Sequence, residues 1–446
     1  MKLVYGVNDK PKFSQVIIFA FQQLLAILAA TIAVPSIVGN GMSQSAALFG
    51  AGAGTIIYLL FTKFRSPVFL GSSFAFLGSM FAAFAGAVTV EAGYAGIILG
   101  AIFAGLVYVV IALVVKFAGV KWINKLMPPV VIGPTVAIIG LSLAGNAVGD
   151  VLKFAENTGS AFLMSGPKAW IGFVCGLVTL ITVVLCSVYG KKTLKLIPFI
   201  IGILAGYAVA AIFTVIGIWT ANETLTVIDF SLFQNMQWYP DFTFLTAFKG
   251  IKAIDAQYIA TIAVAYIPVA FVVFAEHIAD HKNLSTIIDK ELLEDPGLHR
   301  TLLGDGVGSM VGAFFGGCPN TTYGECVGCV AITKNASIVT IITTAILAIV
   351  ASFFAPFVTF LATIPACVMG GVCITLYGFI AVSGLKMIQS VNLSANKNLF
   401  VVSVILITGI GGMAIQIGQV TLTSIACALI LGIITNVIVS KAKEEE

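Results

Sequence analysis

Charge is the scarcest commodity in this 446-residue chain: 9% of its residues are Asp, Glu, Lys or Arg, against 59% that are hydrophobic. A soluble domain carries about a quarter charged residues. A chain this poor in charge cannot cover a water-facing surface, which excludes a soluble enzyme. Histidine is almost missing, with three residues. Of eight cysteines, Cys175, Cys186, Cys367, Cys373 and Cys427 lie in apolar runs, where a thiol behaves as a small hydrophobe. Cys318, Cys326 and Cys329 cluster without the further Cys or His that a structural zinc needs, so neither a metal nor a cofactor is expected. The net charge of +4 comes from loop lysines with no basic patch, which argues against a nucleic-acid partner. No nucleophile–base pair accompanies the buried acids, so a membrane-embedded enzyme is disfavoured as well.

What the chain has is long uncharged sequence. Residues 13–62, 66–90, 92–115, 169–190, 196–222, 335–385 and 398–440 contain no Asp, Glu, Lys or Arg. A helix crosses the roughly 30 Å hydrocarbon core with about 20 apolar residues. The longest runs therefore hold two spans each, and about twelve to fourteen segments are expected. A strand barrel would show ten-residue alternation instead. The first apolar block starts near Phe13 and is of full span length, so no cleavable signal peptide is expected.

Lysines set the expected orientation. Lys2, Lys10 and Lys12 precede the first span; Lys63 and Arg65, then Lys116, Lys121 and Lys125, then Lys191, Lys192 and Lys195 follow every second one. Lys386, Lys397, Lys441 and Lys443 continue the series. The positive-inside rule places them all, and both termini, in the cytoplasm. Segment 220–255, with Glu223, Asp229, Asp241 and Asp255 against Lys249 and Lys252, falls outside.

Two stretches resemble each other. Met127-Pro128-Pro129-Val130-Val131-Ile132-Gly133 and Ile364-Pro365-Ala366-Cys367-Val368-Met369-Gly370 share Pro, Val and Gly in register, and each opens an apolar span. An odd number of spans between them would give the halves opposite orientation, as in transporters built from inverted repeats; the same pattern also serves as an ordinary helix start. Two segments look broken: the Gly- and Ser-rich stretch 66–83 and the polar stretch 316–329. Unwound backbone survives at membrane depth only where protein or a water-filled cavity satisfies it, so both are candidates for a binding site. The plainer alternative for 316–323 is a loop.

Carboxylates inside apolar sequence are few. Glu276 and Asp280, four residues apart at the end of an uncharged span, share one helix face at about 6 Å. Glu325 adds a third acid on the second broken segment. Such residues usually mark ion or substrate paths. Acids facing one cavity cannot all ionise freely, so one can hold a proton near neutral pH, as coupling a proton to a ligand requires. For Asp280 the competing reading is a helix cap or a pair with Lys282. His277 and His281 read as structural or solvent-facing rather than as proton carriers. Asp295-Pro296-Gly297 reads as a helix start, with Asp as N-cap and Pro first in the helix.

Ala275-Glu276-His277-Ile278, Asp295-Pro296-Gly297-Leu298-His299-Arg300 and Pro319-Asn320-Thr321-Thr322-Tyr323-Gly324-Glu325 together resemble the nucleobase–ascorbate transporters (the second nucleobase:cation symporter family), most of all its bacterial uracil:proton symporter branch. Gly71-Ser72-Ser73-Phe74-Ala75-Phe76 and Met369-Gly370-Gly371-Val372 fit as well, so the likeness spans essentially the whole chain. It implies an all-α polytopic membrane protein of fourteen segments in two inverted repeats of seven, with short strands in the third and tenth. Residues 13–125 and 256–354 would form the core (segments 1–4 and 8–11), and 126–219 and 355–440 the gate (segments 5–7 and 12–14). It further implies import of uracil with a proton across the bacterial inner membrane by alternating access, with lipid as the surroundings and a homodimer left open.

Carried over residue by residue, Glu276 would bond the ring N–H and carbonyl edge of the base and Glu325 a second ring N–H. The backbone at Phe74 and Gly324 would meet the other polar atoms, and Tyr323 and Phe74 would wall the pocket. Two departures stand out. The motif of acid or amide, Asn, any residue and Gly, closed by Thr and a basic residue, fits Glu325 to Lys334 except that Cys326 replaces Asn. The uracil branch carries His where this chain has Asp280; Asp at that place resembles other branches of the family, including purine carriers. Coupling thus falls to Glu276, Asp280 or Glu325, and xanthine or uric acid is the alternative substrate, although purine carriers usually have Gln at the position of Glu325. An anion transporter or channel of related fold would want basic residues or free helix N-termini at its site, and three acids speak against it.

Overall fold

The computed structural model describes residues 3–119, 121–159, 161–191, 193–417 and 420–440. Lys2, Lys192, Lys441 and Lys443 of the orientation series lie outside them. The first uncharged run folds as two helices, α1 (Phe13–Val38) and α2 (Gln44–Phe61). Gly39, Asn40 and Gly41 turn the chain between them with φ of 68°, 53° and 77°, a left-handed run that glycine and asparagine tolerate best. The first broken stretch is β1 (Leu70–Ser72), a tight turn over Phe74–Phe76 and the short α3 (Leu77–Ala85). The 29-residue α4 (Val90–Ala118) follows.

Next come α5 (Lys121–Leu126), α6 (Pro129–Ser142) and α7 (Ala144–Val151), then a hairpin of β2 (Glu156–Asn157) and β3 (Phe162–Leu163). The helices α8 (Pro167–Tyr189), α9 (Thr193–Leu196), α10 (Pro198–Trp219) and α11 (Thr243–Gly250) lead to the 33-residue α12 (Ala256–Ile288). After α13 (Leu298–Gly316) the second broken stretch repeats the first: β4 (Asn320–Thr322) runs into the short α14 (Gly324–Thr333). The chain closes with α15 (Ile338–Ser352), α16 (Ala355–Ala362), α17 (Ala366–Ile388), α18 (Asn396–Ile410), a hairpin of β5 (Ile415–Ile417) and β6 (Val420–Leu422), and α19 (Ser424–Val439).

Among the described residues, eight helices are long and apolar enough to cross a bilayer, nine if α15 and α16, bent by 81°, count as one span. Four shorter apolar helices accompany them. The protein is a mostly helical, multi-pass membrane protein. Several segments are interrupted rather than full-length helices. Polar strand residues cut the span before α3 and α14, and the second repeat-like stretch opens a 23-residue helix while the first opens a 14-residue one that breaks at Leu143.

One set of helices packs around α2 and α13, with α4 and α15 against them and α12 against α4; another packs around α17, with α6, α7 and α8 against it. Small residues make the first set tight. A Cβ on Gly54 of α2 would meet the Gly308 carbonyl at 2.7 Å and the Asn320 amide. This lets β4 lie under the helix pair, with Asn320 Nδ2 donating to the Gly50 carbonyl at 3.0 Å. The N-terminal segment pairs with the end of α14: the Val4 N–H donates to the Lys334 carbonyl, and the Ala336 N–H to Tyr5. Asp295, exposed between α12 and α13, bonds Arg65 at 2.8 Å and Lys290 at 2.9 Å. Those two cations hold its carboxyl below the usual range. Asp295 therefore ties two loops together, with extended backbone (φ −134°, ψ 110°) before Pro296, and the helix cap at α13 is Gly297 instead.

Candidate functional site

The site is built where the two broken stretches cross. Residues 316–323 are not a loop: β1 and β4 pair antiparallel, with Leu70 opposite Thr322, Gly71 opposite Thr321 and Ser72 opposite Asn320. The Ser73 and Tyr323 amides extend the ladder to the Pro319 and Phe69 carbonyls at 2.9 and 3.2 Å. The pair thus satisfies its buried backbone internally, as membrane depth demands. A Cβ on Gly71 would overlap the Tyr323 ring, so glycine is what lets Tyr323 fold across β1 and donate its hydroxyl to the Ser72 carbonyl at 2.9 Å. Each strand leads into a short helix, which brings the N-terminal ends of α3 and α14, with their partial positive charge, toward one point.

At that point lies a cavity of about 400 Å³, within the range of small-molecule sites. Glu276, Asp280, Glu325, Phe74, Tyr323 and Gly324 all line it. Glu276 and Asp280 come from successive turns of α12, and Glu325 sits in the first turn of α14. Asp280 neither caps its helix nor pairs with Lys282. It lies inside α12, where its Oδ2 accepts from Thr322 Oγ1 of β4 at 2.8 Å. Glu276 Oε2 is buried with no hydrogen-bond partner, and such an atom in a cavity wall is free to meet a ligand.

Both histidines are buried on the back of the same turns. His277 Nδ1 is 2.7 Å from Asp305 Oδ2 and its Nε2 2.9 Å from Thr301 Oγ1. His281 Nδ1 donates to the His277 carbonyl at 2.8 Å, and its Nε2 lies 2.8 Å from the Tyr58 hydroxyl. They are internal, not solvent-facing. Cys326 is likewise fully buried, and its Sγ accepts from the Phe69 N–H at 3.3 Å. It thereby anchors the chain entering β1.

Sequence reasoning missed the far wall. Tyr377 of α17 meets Phe74 edge-on at 5.3 Å, and Phe379 and Ser383 of the same helix line the cavity. These residues lie in an uncharged run with no local feature to mark them. Lys195 also lines it, and was read only as a topological marker. Thr322 stood in the quoted motif, but its partner Asp280 is 42 residues away.

A cavity between membrane helices, walled by acids and strand–helix junctions, is the arrangement of a membrane transporter's binding site. The comparisons agree. Residues 14–418 match the model of a family described as a permease family, and the chain belongs to it, in agreement with the resemblance to nucleobase–ascorbate transporters. It is 37% identical to the uracil permease of Bacillus caldolyticus over 98% of this chain and 95% of that one. Against the uracil permease of Bacillus subtilis (strain 168) the figures are 36%, 100% and 97%, and against that of Escherichia coli (strain K12) 33%, 96% and 92%. Among solved structures, the transmembrane domain of the cyanobacterium bicarbonate transporter BicA shares the fold at a TM-score of 0.63 and 16% identity, over 97% of this chain and 99% of that one. SLC26A9 does so at 0.64 and 10%, over 96% and 66%.

Proposed function

We propose that the protein imports uracil together with a proton by alternating access. The observation that carries this reading is the convergence of Glu276, Asp280 and Glu325 with two strand–helix junctions on one cavity. Relatives named uracil permease, similar over nearly their full lengths, support it. Uracil is flat and presents alternating C=O and N–H groups. Carboxylates at Glu276 and Glu325 match its ring N–H groups, and a protonated Glu276 also donates to a ring carbonyl. Main-chain groups at Phe74 and Gly324 meet the remaining polar atoms, and the rings of Phe74 and Tyr323 hold the base flat. A wrong base would leave such buried groups unpaired, which is what discriminates against it. A proton shared among Glu276, Asp280 and Glu325 lowers the cost of three acids around a neutral ligand, and its release with the base couples the two.

In the same reading the chain has fourteen segments in two inverted repeats of seven. Residues 13–125 and 256–354 form a core that moves against a gate of 126–219 and 355–440. The protein sits in the bacterial inner membrane with both termini cytoplasmic. The acids in the cavity wall disfavour an anion as cargo, although the fold is shared with anion transporters. The test is uptake of radiolabelled uracil by cells expressing the chain, competed with xanthine, thymine and 5-fluorouracil. Competition by xanthine but not 5-fluorouracil would overturn the substrate, and accumulation indifferent to an uncoupler would overturn the proton.

A further inference from the structure

A second cavity, of about 430 Å³, lies between Phe81 of α3 and Asn146 and Asp150 of α7, rimmed by Asn157 and Phe162 of the β2–β3 hairpin. Its place in the fold gives it meaning. Ala26, midway along α1, lines the first cavity, and Ile37, at the end of α1, lines the second. Ile332, near the end of α14 where the N-terminal segment is paired, also lines the first. The first cavity therefore lies toward the N-terminal face and the second toward the opposite one. Both sit between the same bodies, α1 and α3 on one side and the helices around α17 on the other. Phe74 and Phe81, two turns apart along one short segment, face one cavity each. Between them Phe74 meets Tyr377, while α7 packs on α17 so closely that a Cβ on Gly370 would meet the Val151 amide at 2.5 Å. The Phe74–Tyr377 contact joins the two bodies between which both cavities lie.

We propose that the second cavity is a separate, weaker nucleobase site, the half of the path that the base occupies before the Phe74–Tyr377 contact parts. This rests on the functional reading above and adds the residues that meet the base first. The lining suits a flat heterocycle. Asn146 and Asn157 each offer an amide donor and acceptor, Asp150 offers acceptors for ring N–H groups, Lys153 offers a donor for a ring carbonyl, and Phe81, 38% exposed, offers an aromatic surface. A Cβ on Gly145 or Gly149 meets nothing within 4 Å, so the floor is open.

Gly145→Cys gives a reporter, read by labelling in intact cells with a charged, membrane-impermeant thiol reagent above the background of the parent chain. Gly149→Cys is a second reporter should the first fold poorly. Uracil should slow labelling about fivefold when present at about four times the Kd of this site, since protection scales as one plus ligand over Kd. The protection should persist when Glu325→Gln is added, which weakens binding at the first cavity about 10- to 150-fold. Protection abolished by Glu325→Gln, or absent while uracil or xanthine binds the purified wild-type chain, overturns the second site alone. A wild-type chain that binds neither base overturns the functional reading and this one with it.

Discussion

Helix α12 presents two polar faces within the same two turns, and their fates differ. On the front, Glu276 and Asp280 border a cavity, and Glu276 Oε2 has no partner. On the back, His277 and His281 are fully buried, and each ring nitrogen lies within hydrogen-bond distance of a neighbour on its own helix, α13 or α2. Polarity inside a membrane protein is therefore not one signal. A group whose bonding is completed by the fold holds helices together, and one left incomplete beside a cavity is kept for a ligand.

The difference predicts opposite phenotypes. His277→Ala leaves Asp305 and Thr301 buried without their partner, which should cost about 1–3 kcal/mol of stability for each. Thermal unfolding in detergent should show the loss, while base affinity in the folded fraction stays near wild type; weakened binding at unchanged stability would place His277 on the ligand side after all. Glu325→Gln and Glu276→Gln should do the reverse. Losing a charge-assisted hydrogen bond of about 1.5–3 kcal/mol weakens uracil binding about 10- to 150-fold by equilibrium titration, with little change in unfolding temperature. Asp280→Asn should keep binding but abolish accumulation against a gradient in uptake assays, whereas Thr322→Val, which removes its partner, should weaken transport by about 1 kcal/mol in kcat/KM. The smallest effect is expected at Cys326→Ala. The Phe69 amide loses a weak acceptor, worth about 1 kcal/mol of stability, and base selectivity should not move.

Much of this was legible in the residues. Long uncharged runs marked the membrane class, because hydrocarbon tolerates no alternative. The three acids stood out because charge there is so costly, and the Gly- and Ser-rich stretches betrayed the broken spans. The count of full-length helices was not legible, since composition does not say where a span is interrupted. Nor were the two faces of α12: Asp280 and His281 are neighbours, and only packing decides that one reaches Thr322 and the other Tyr58.

The sequence by itself determined that this chain lives in a bilayer, that its acids are rare enough to matter, and which family its motifs resemble. All of these follow from residue chemistry and local order. The tertiary structure alone decided that β1 and β4, some 250 residues apart, cross beside α12. It also decided that α17 closes the far wall through Phe379 and Ser383, and that a second cavity exists. The physical reason is that helix packing, set by where small residues let backbones touch, brings together groups whose separation along the chain carries no record of the meeting.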